Sequence, residues 1–572
     1  MIRLKTAEAK RDRLALYAIL LLSLLLNSYG LDWGLTGLPR PYASVHPDED
    51  FCFAPGFSFL RGQVTADVFF WGGTFFQMAM AATLGVARLC GSSPTTEWVH
   101  GLFVMTRLGV AINGVFNVFL VSLLGQRLGR RWVPDASEEV GLWGAAFFAV
   151  MPAPVALAHH IRPDVMLVTG ILLVALMAER LMGPPPGVWP RQPDAENLIR
   201  QGTTVVSGIG HASAAVTSQP GARSSHTWWP CLLAGGSLGF TTAVRLNGAF
   251  CAPGLAVALM LNPQEKAKTR RLILMLAVAL AVFAALSPFS LIYGPDLIGF
   301  YPAMKRAPFL DAYHRGPVLW QYATRVMWHG VGPALLVASY VGLALACWRR
   351  SQADVFVAAF VAPLAVSTGM SNLIYVRYLL PVLPFLAILA ACAFVGAGTR
   401  ARLRQAARAG VFGLSLLLCV AADSLFSQND TRLAAARWID AHVKPGARIA
   451  VLRLSVFYFY PWPDKSKYLV MYHRGHAEKE RPPAEQMDVD YWILSEHDYR
   501  HVVRLGDAHP SPVSARFVQR LMKGEPLEGR VFRLAQEFQN PPKILGFPIP
   551  RGSPPEDLLY TNPTIRIYKR ER

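Results

Sequence analysis

Apolar residues fall in long runs along this chain, separated by short polar stretches that carry arginine and lysine. A helix needs roughly 20 apolar residues to cross a bilayer. On that measure about eleven spans are expected, at approximately 14–31, 102–126, 140–158, 164–182, 229–245, 247–262, 271–292, 329–348, 354–372, 378–397 and 410–427. The loops test this register. With the N-terminus in the cytoplasm, the cytoplasmic loops carry Arg127, Arg130 and Arg131, then Arg180, Arg191, Arg200 and Arg223. Further along they carry Lys266, Lys268, Arg270 and Arg271, then Arg349 and Arg350, then Arg400, Arg402, Arg404 and Arg408. The opposite short loops are poorer in Lys and Arg, which is the positive-inside pattern. An odd number of spans puts the C-terminal part outside the cytoplasm.

Three segments refine the picture. The basic start (Arg3, Lys5, Lys10, Arg11, Arg13) precedes an apolar run with no small-residue cleavage site, so it reads as a retained first span. In the first outer loop, 31–101, the stretch Thr74–Cys90 reads as an amphipathic helix in the outer interface. A twelfth span there would move the Arg127–Arg131 cluster outside. Residues 183–228 are rich in Pro, Gly and Ser and read as a flexible cytoplasmic loop without assigned chemistry.

Beyond Gln428 the periodicity changes. Thr431–Val443 has a helical stripe, Pro445-Gly446 marks a turn, and Arg448–Leu454, Val489–Leu494 and Ile565–Tyr568 read as strands. The expected architecture is an all-α membrane bundle over 1–427 and an extracytoplasmic α/β domain over 428–572.

Composition agrees. The chain is 53% hydrophobic and 16% charged, where soluble domains carry about 25% charged residues. Its mean hydropathy is +0.30. The net charge of +19 is spread over loops between apolar runs, not gathered on a polar face, so a nucleic-acid partner is not expected.

The candidate chemistry gathers on the outer side. The first outer loop reads Val45, His46, Pro47, Asp48, Glu49, Asp50, Phe51. Consecutive carboxylates beside a histidine are either a solvated acidic loop or a general base with oxygen ligands for a divalent cation. His159, His160, Ile161, Arg162, Pro163 and Asp164 lie between two spans. There Asp164 could hold a metal or substrate and Arg162 could meet a phosphate, or both are interfacial anchors. Arg245 and Asn247 sit between apolar runs, Arg377-Tyr378 opens another, and Arg107 lies near the start of the second span. An arginine at such a site either snorkels or meets an anion. The loop 293–328 adds Asp296, Lys305, Arg306, Asp311, His314 and Arg315. Acids and guanidiniums converging on one leaflet suggest a site for an anionic, membrane-embedded ligand.

HPDE in the first outer loop, TRLGVAINGVFNVFL opening the second span, RPD between the third and fourth, and RYLLPVLPFLAIL near the end resemble the GT-C superfamily. The likeness is greatest to its bacterial protein-mannosyltransferase and aminoarabinose-transferase branch and covers about residues 14–427. It implies a polyprenyl-phosphate-linked sugar donor, a membrane lipid environment and transfer, with inversion, to an acceptor that the sequence does not identify. It implies Asp48 as general base, with Glu49 supporting it or binding a divalent cation. Asp164 would occupy the second acidic position, with His46 a further candidate metal ligand, and Arg245, Arg377 and Arg162 would face the donor phosphate. Asp50, Arg107, Asn247 and Tyr378 are further candidates. It also implies the inner membrane of a bacterium, with the C-terminal domain on the periplasmic side. No Gly-rich nucleotide cradle argues for a nucleotide-sugar donor. The competing classes are a secondary transporter, which would show internal repeats and mid-membrane polar residues, and a non-catalytic envelope-assembly protein.

Overall fold

The structure, a computed structural model, describes residues 2–35, 44–49, 52, 74–89, 96–183, 228–292, 294, 316–371, 373–395, 401–453, 461–473, 488–506 and 512–571. Asp50, the loop 184–227 and the 293–315 group of Asp296, Lys305, Arg306, Asp311, His314 and Arg315 lie outside these residues, apart from residue 294.

The apolar runs do fold as helices, but several are shorter or more broken than their hydropathy suggests. Among the described residues, four helices are long and apolar enough to cross a membrane, or five if one bent pair counts as a span, so eleven spans are not confirmed. The reason lies in breakers within the runs. Pro152 opens a new helix after Ser137–Ala149, because its missing N–H is harmless at a first turn, and the chain bends there by 60°. Gly332, at φ 87°, and Pro333 divide Met327–Val331 from Pro333–Arg349. The run from Tyr378 becomes regular helix only at Leu383, and Leu383–Phe394 is 12 residues long.

Thr96–Trp132, at 37 residues, is the longest described helix, and it ends on Arg130 and Arg131, which suit the negative end of the helix dipole. Small residues let neighbouring helices close in. A Cβ on Gly239 would lie 2.3 Å from the Ala279 carbonyl oxygen, and one on Gly342 would lie 2.3 Å from that of Leu389. Thr74–Leu89 is a helix as expected, and its Met80 and Leu84 are buried with Leu35, Phe103 and Ile161.

Beyond the helix Ala401–Asp423 the chain builds a five-stranded sheet. Its strands are β1 (Arg448–Leu452), β2 (Leu469–His473), β3 (Tyr491–Ser495), β4 (Phe532–Phe538) and β7 (Ile565–Arg570), lying in the order β2-β1-β3-β7-β4. β1 runs parallel to β2 and β3, and β7 runs antiparallel to β3 and β4. Alternation along β1 feeds both faces. Ile449 and Val451 pack with Ile439 of the helix Thr431–His442, while Ala450 and Leu452 pack with Val502, Phe517 and Leu521 on the other side. A separate hairpin pairs β5 (Lys543–Ile544) with β6 (Phe547–Pro548). The strands β2 and β4 escape sequence reading because both are sheet edges with largely exposed or half-exposed side chains.

Two knots tie this sheet domain to the helical bundle. Arg432 is wholly buried and pairs with Asp430 at 2.7 Å, while donating to the Val45 carbonyl at 3.0 Å and that of Tyr560 at 2.9 Å. Asp557 accepts from the backbone N–H groups of Val376 at 2.9 Å and Arg377 at 3.1 Å.

A buried chain of acids and arginines

Four separated segments deliver charge to one place. The turn Ser44–Glu49 brings Asp48, the turn before Asp164–Leu181 brings Arg162 and Asp164, the break after Trp229–Val244 brings Arg245, and the short helix Val376–Leu379 brings Arg377. Arg245 caps its helix in extended conformation, and from there its guanidinium meets Oδ1 of Asp164. Asp164 sits in the first turn of its helix, where the dipole favours a carboxylate. Its Oδ2 accepts from Nε of Arg162 at 3.0 Å. Arg162 also pairs with Oδ2 of Asp48, and Nη1 of Arg377 lies 3.6 Å from that same oxygen. The order is therefore Arg245, Asp164, Arg162, Asp48, Arg377, alternating in sign throughout. Asp48, Arg162, Asp164 and Arg377 are each at most 4% exposed. Buried charges persist only when paired in this way.

The pairing leaves some valences open. Among the described residues, Oδ1 of Asp48 and both Nε and Nη1 of Arg377 have no hydrogen-bond partner. Arg377 stacks on the Tyr375 ring at 3.9 Å and lies 5.3 Å from that of Tyr378, while Arg245 lies 5.4 Å from Tyr378. These aromatic faces hold the guanidinium planes without consuming their N–H groups.

Glu49 is placed differently from Asp48. It is fully buried, and its carboxylate takes Arg107 Nε at 2.9 Å and Nη2 at 2.6 Å, the Ser44 hydroxyl at 2.5 Å and the Ile161 N–H at 2.9 Å. Arg107 also donates to the Leu31 and Trp33 carbonyls, both at 2.7 Å. This pair fixes the turn that carries Asp48. His46 accepts the Asp48 backbone N–H on Nδ1 at 3.2 Å, so its ring proton resides on Nε2. Its ring lies 4.0 Å from that of His160. Burial first, then nearby arginines and a neighbouring histidine (His160 for His46, His159 for His160), pushes both imidazoles well below their usual range, so both are neutral.

His46, Glu49 and Asp164 do not make a ligand set. The oxygens of Glu49 and Asp164 are committed to guanidinium and backbone donors, and among the described residues no group of three or more His, Cys, Asp or Glu is placed to hold a metal ion. Asn247 lies two residues beyond Arg245, and its buried side-chain oxygen has no partner among the described residues. Asp50 lies outside the described residues.

Asp557 was not foreseen from the sequence. In PPEDLLY it reads as an ordinary surface acid, yet it is 7% exposed and holds the backbone that carries Arg377. Burial pushes its carboxyl up to about 6, against the pull of Arg377, two backbone N–H groups and Arg162. The consequence for stability has a definite sign. The fold binds this proton more readily than the unfolded chain, so the group's contribution is fully present below about pH 4 and is lost as pH rises through about 6. The ionised form is nevertheless the one that accepts both N–H groups.

No family model matches the chain, and no curated protein matches it in sequence. Solved structures are. ArnT from Cupriavidus metallidurans, bound to undecaprenyl phosphate, is 17% identical with a TM-score of 0.44, covering 74% of this chain and 71% of that one. The oligosaccharyltransferase AglB from Archaeoglobus fulgidus, in complex with an inhibitory peptide and a dolichol-phosphate, is 11% identical with a TM-score of 0.48, covering 90% and 72%. The arabinofuranosyltransferase AftD from Mycobacteria is 15% identical with a TM-score of 0.42, covering 98% and 41%. At these scores no residue role is carried over from them, and the roles below rest on the geometry of the buried chain.

Proposed function

We propose that this membrane protein transfers a sugar from a polyprenyl-phosphate donor to an acceptor on the extracytoplasmic side, with Asp48 as general base and Arg377 on the donor phosphate. The observation that carries the reading is the pair of open valences side by side: among the described residues, a buried carboxylate oxygen has no donor, and a buried guanidinium has two nitrogens without an acceptor. A carboxylate with a free oxygen can take a proton. A guanidinium with free N–H groups fits a phosphate.

The chemistry follows from that placement. The acceptor hydroxyl or amine gives its proton to Oδ1 of Asp48 as its lone pair attacks the anomeric carbon. The bond from that carbon to the phosphate oxygen breaks on the opposite face, giving inversion. Negative charge develops on the departing polyprenyl phosphate, where Arg377 meets it. Arg377 exchanges its long 3.6 Å contact to Asp48 for the phosphate. Arg162 and Arg245 hold Asp48 and Asp164 in line from the other end of the chain. Glu49 acts through position, by fixing the Asp48 turn.

The phosphate limb is testable without knowing the sugar or the acceptor. Titration of the purified protein with bare undecaprenyl phosphate, followed by native mass spectrometry, should show specific binding. Arg377→Ala should weaken it about 10- to 100-fold, the scale of losing hydrogen bonds to a charged group. Unchanged affinity in that variant would remove Arg377 from the phosphate site.

The hold of Asp557 on Arg377 adds a pH dependence. Asp557 faces Arg377, Arg162 and the Tyr322 hydroxyl. Its protonation near pH 6 replaces an acceptor oxygen by a hydroxyl against the two N–H groups. Binding of undecaprenyl phosphate should therefore fall on an acidic limb centred near pH 6, and Asp557→Asn should flatten that limb while weakening binding at pH 7.5. A limb that persists unchanged in the variant would assign it to another group.

A further inference from the structure

The hairpin β5–β6 carries the most conspicuous apolar exposure outside the helices. Leu545 is 92% exposed and Phe547 is 75% exposed, and Gly546 and Pro548 beside them are exposed too. The two-residue turn Leu545-Gly546 has positive φ at both positions, 50° and 88°. A turn of that kind favours Asn-Gly, because a side chain with a bulky Cγ is strained there. Leucine is therefore a poor choice for folding and a poor choice for solubility at the same position. Such a residue is explained by a surface that covers it.

Location identifies that surface. The Lys543 N–H donates to the Ser424 hydroxyl at 2.8 Å, and Ser424 directly follows the helix Ala401–Asp423, one of the helices apolar enough to span. Leu414, Leu417 and Val420 of that helix are also exposed, as lipid-facing positions would be. The Gln428 side chain donates to the Pro541 carbonyl at 3.1 Å and so ties the base of the hairpin to the end of the same span. The tip thus projects where this span meets the outer domain. Lys543 at the base can reach headgroups while the tip sits deeper. A protein strand is a poor alternative occupant, since Pro548 and Pro550 remove the N–H groups that edge pairing needs.

We propose that the hairpin Lys543–Pro548 is a lipid anchor of the outer domain, with Leu545 and Phe547 seated at the boundary of headgroups and acyl chains beside the last span. The proposal needs Ala401–Asp423 to be a span but does not depend on sugar transfer. Such an anchor would hold the domain that carries Asp557 and Arg432 at a fixed height over the buried acids and arginines.

The test uses the full chain in phospholipid nanodiscs with p-benzoylphenylalanine in place of Phe547 and, as control, in place of Leu469. Leu469 is 61% exposed on β2, at an edge of the five-stranded sheet. Illumination followed by mass spectrometry should give phospholipid adducts at 547 several-fold above those at 469. In the 547 background, Leu545→Asn should reduce the adducts several-fold while leaving thermal stability equal or higher, because Asn tolerates the positive φ. Adduct yield at 547 no greater than at 469, or cross-links at 547 to protein instead of lipid, would overturn the proposal. So would a Leu545→Asn chain that keeps full adduct yield.

Discussion

Asp48→Asn should leave the protein folded and able to bind undecaprenyl phosphate, yet lower the rate of sugar transfer by about 10²–10⁴-fold, the range typical of a lost general base. The expectation is specific because of how Asp48 is held. Its Oδ2 is engaged by Arg162, and its Oδ1 is free among the described residues. An amide keeps the shape and an oxygen for Arg162 but cannot take a proton. The measurement is a split between kcat and donor affinity, with radiolabelled donor and the purified chain in detergent. A variant that loses donor binding and stability together would make Asp48 a structural member of the ion chain and not its base.

Its neighbour should behave in the opposite way. Arg107→Ala should destabilise the protein by about 3–5 kcal/mol, as expected when one partner of a buried ion pair is removed. Arg107 is 1% exposed and meets Glu49, which is wholly buried and has donors on both oxygens. Deleting the guanidinium strands that carboxylate and also frees the Leu31 and Trp33 carbonyls. Thermal unfolding in one detergent at matched pH reads the loss. Glu49→Gln should lose less, since an amide still accepts from Ile161. An unshifted unfolding temperature in Arg107→Ala would mean that the pair does not hold the Asp48 turn.

These contrasting expectations for adjacent carboxylates mark the limit of sequence reading. Asp48, Arg162, Asp164, Arg245 and Arg377 were legible as candidates because a charge flanked by apolar residues has few tolerable fates. Which of them meet was not legible, since Asp48 and Arg162 lie far apart in the chain and only folding pairs them. Nor was the commitment of Glu49 to Arg107, 58 residues away. Asp557 gave no signal at all, because an acid in a polar, proline-bounded segment looks solvated until the sheet domain is docked. The same holds for the membrane helices. Hydropathy located the apolar runs but overestimated their continuity, because Pro152 and Gly332-Pro333 break the backbone without lowering mean hydropathy. In the sheet domain the central strands β1, β3 and β7 stood out through their buried β-branched and aromatic residues. The edge strands, facing water along much of their length, did not.

The reading of the buried acids and arginines as a transfer site is tested most directly by offering the purified protein a panel of radiolabelled polyprenyl-phosphate sugars and following release of the polyprenyl phosphate. At least one donor should be consumed by the wild-type chain, with release slowed about 10²–10⁴-fold in Asp48→Asn. A full panel left intact, together with no affinity for bare undecaprenyl phosphate, would contradict it.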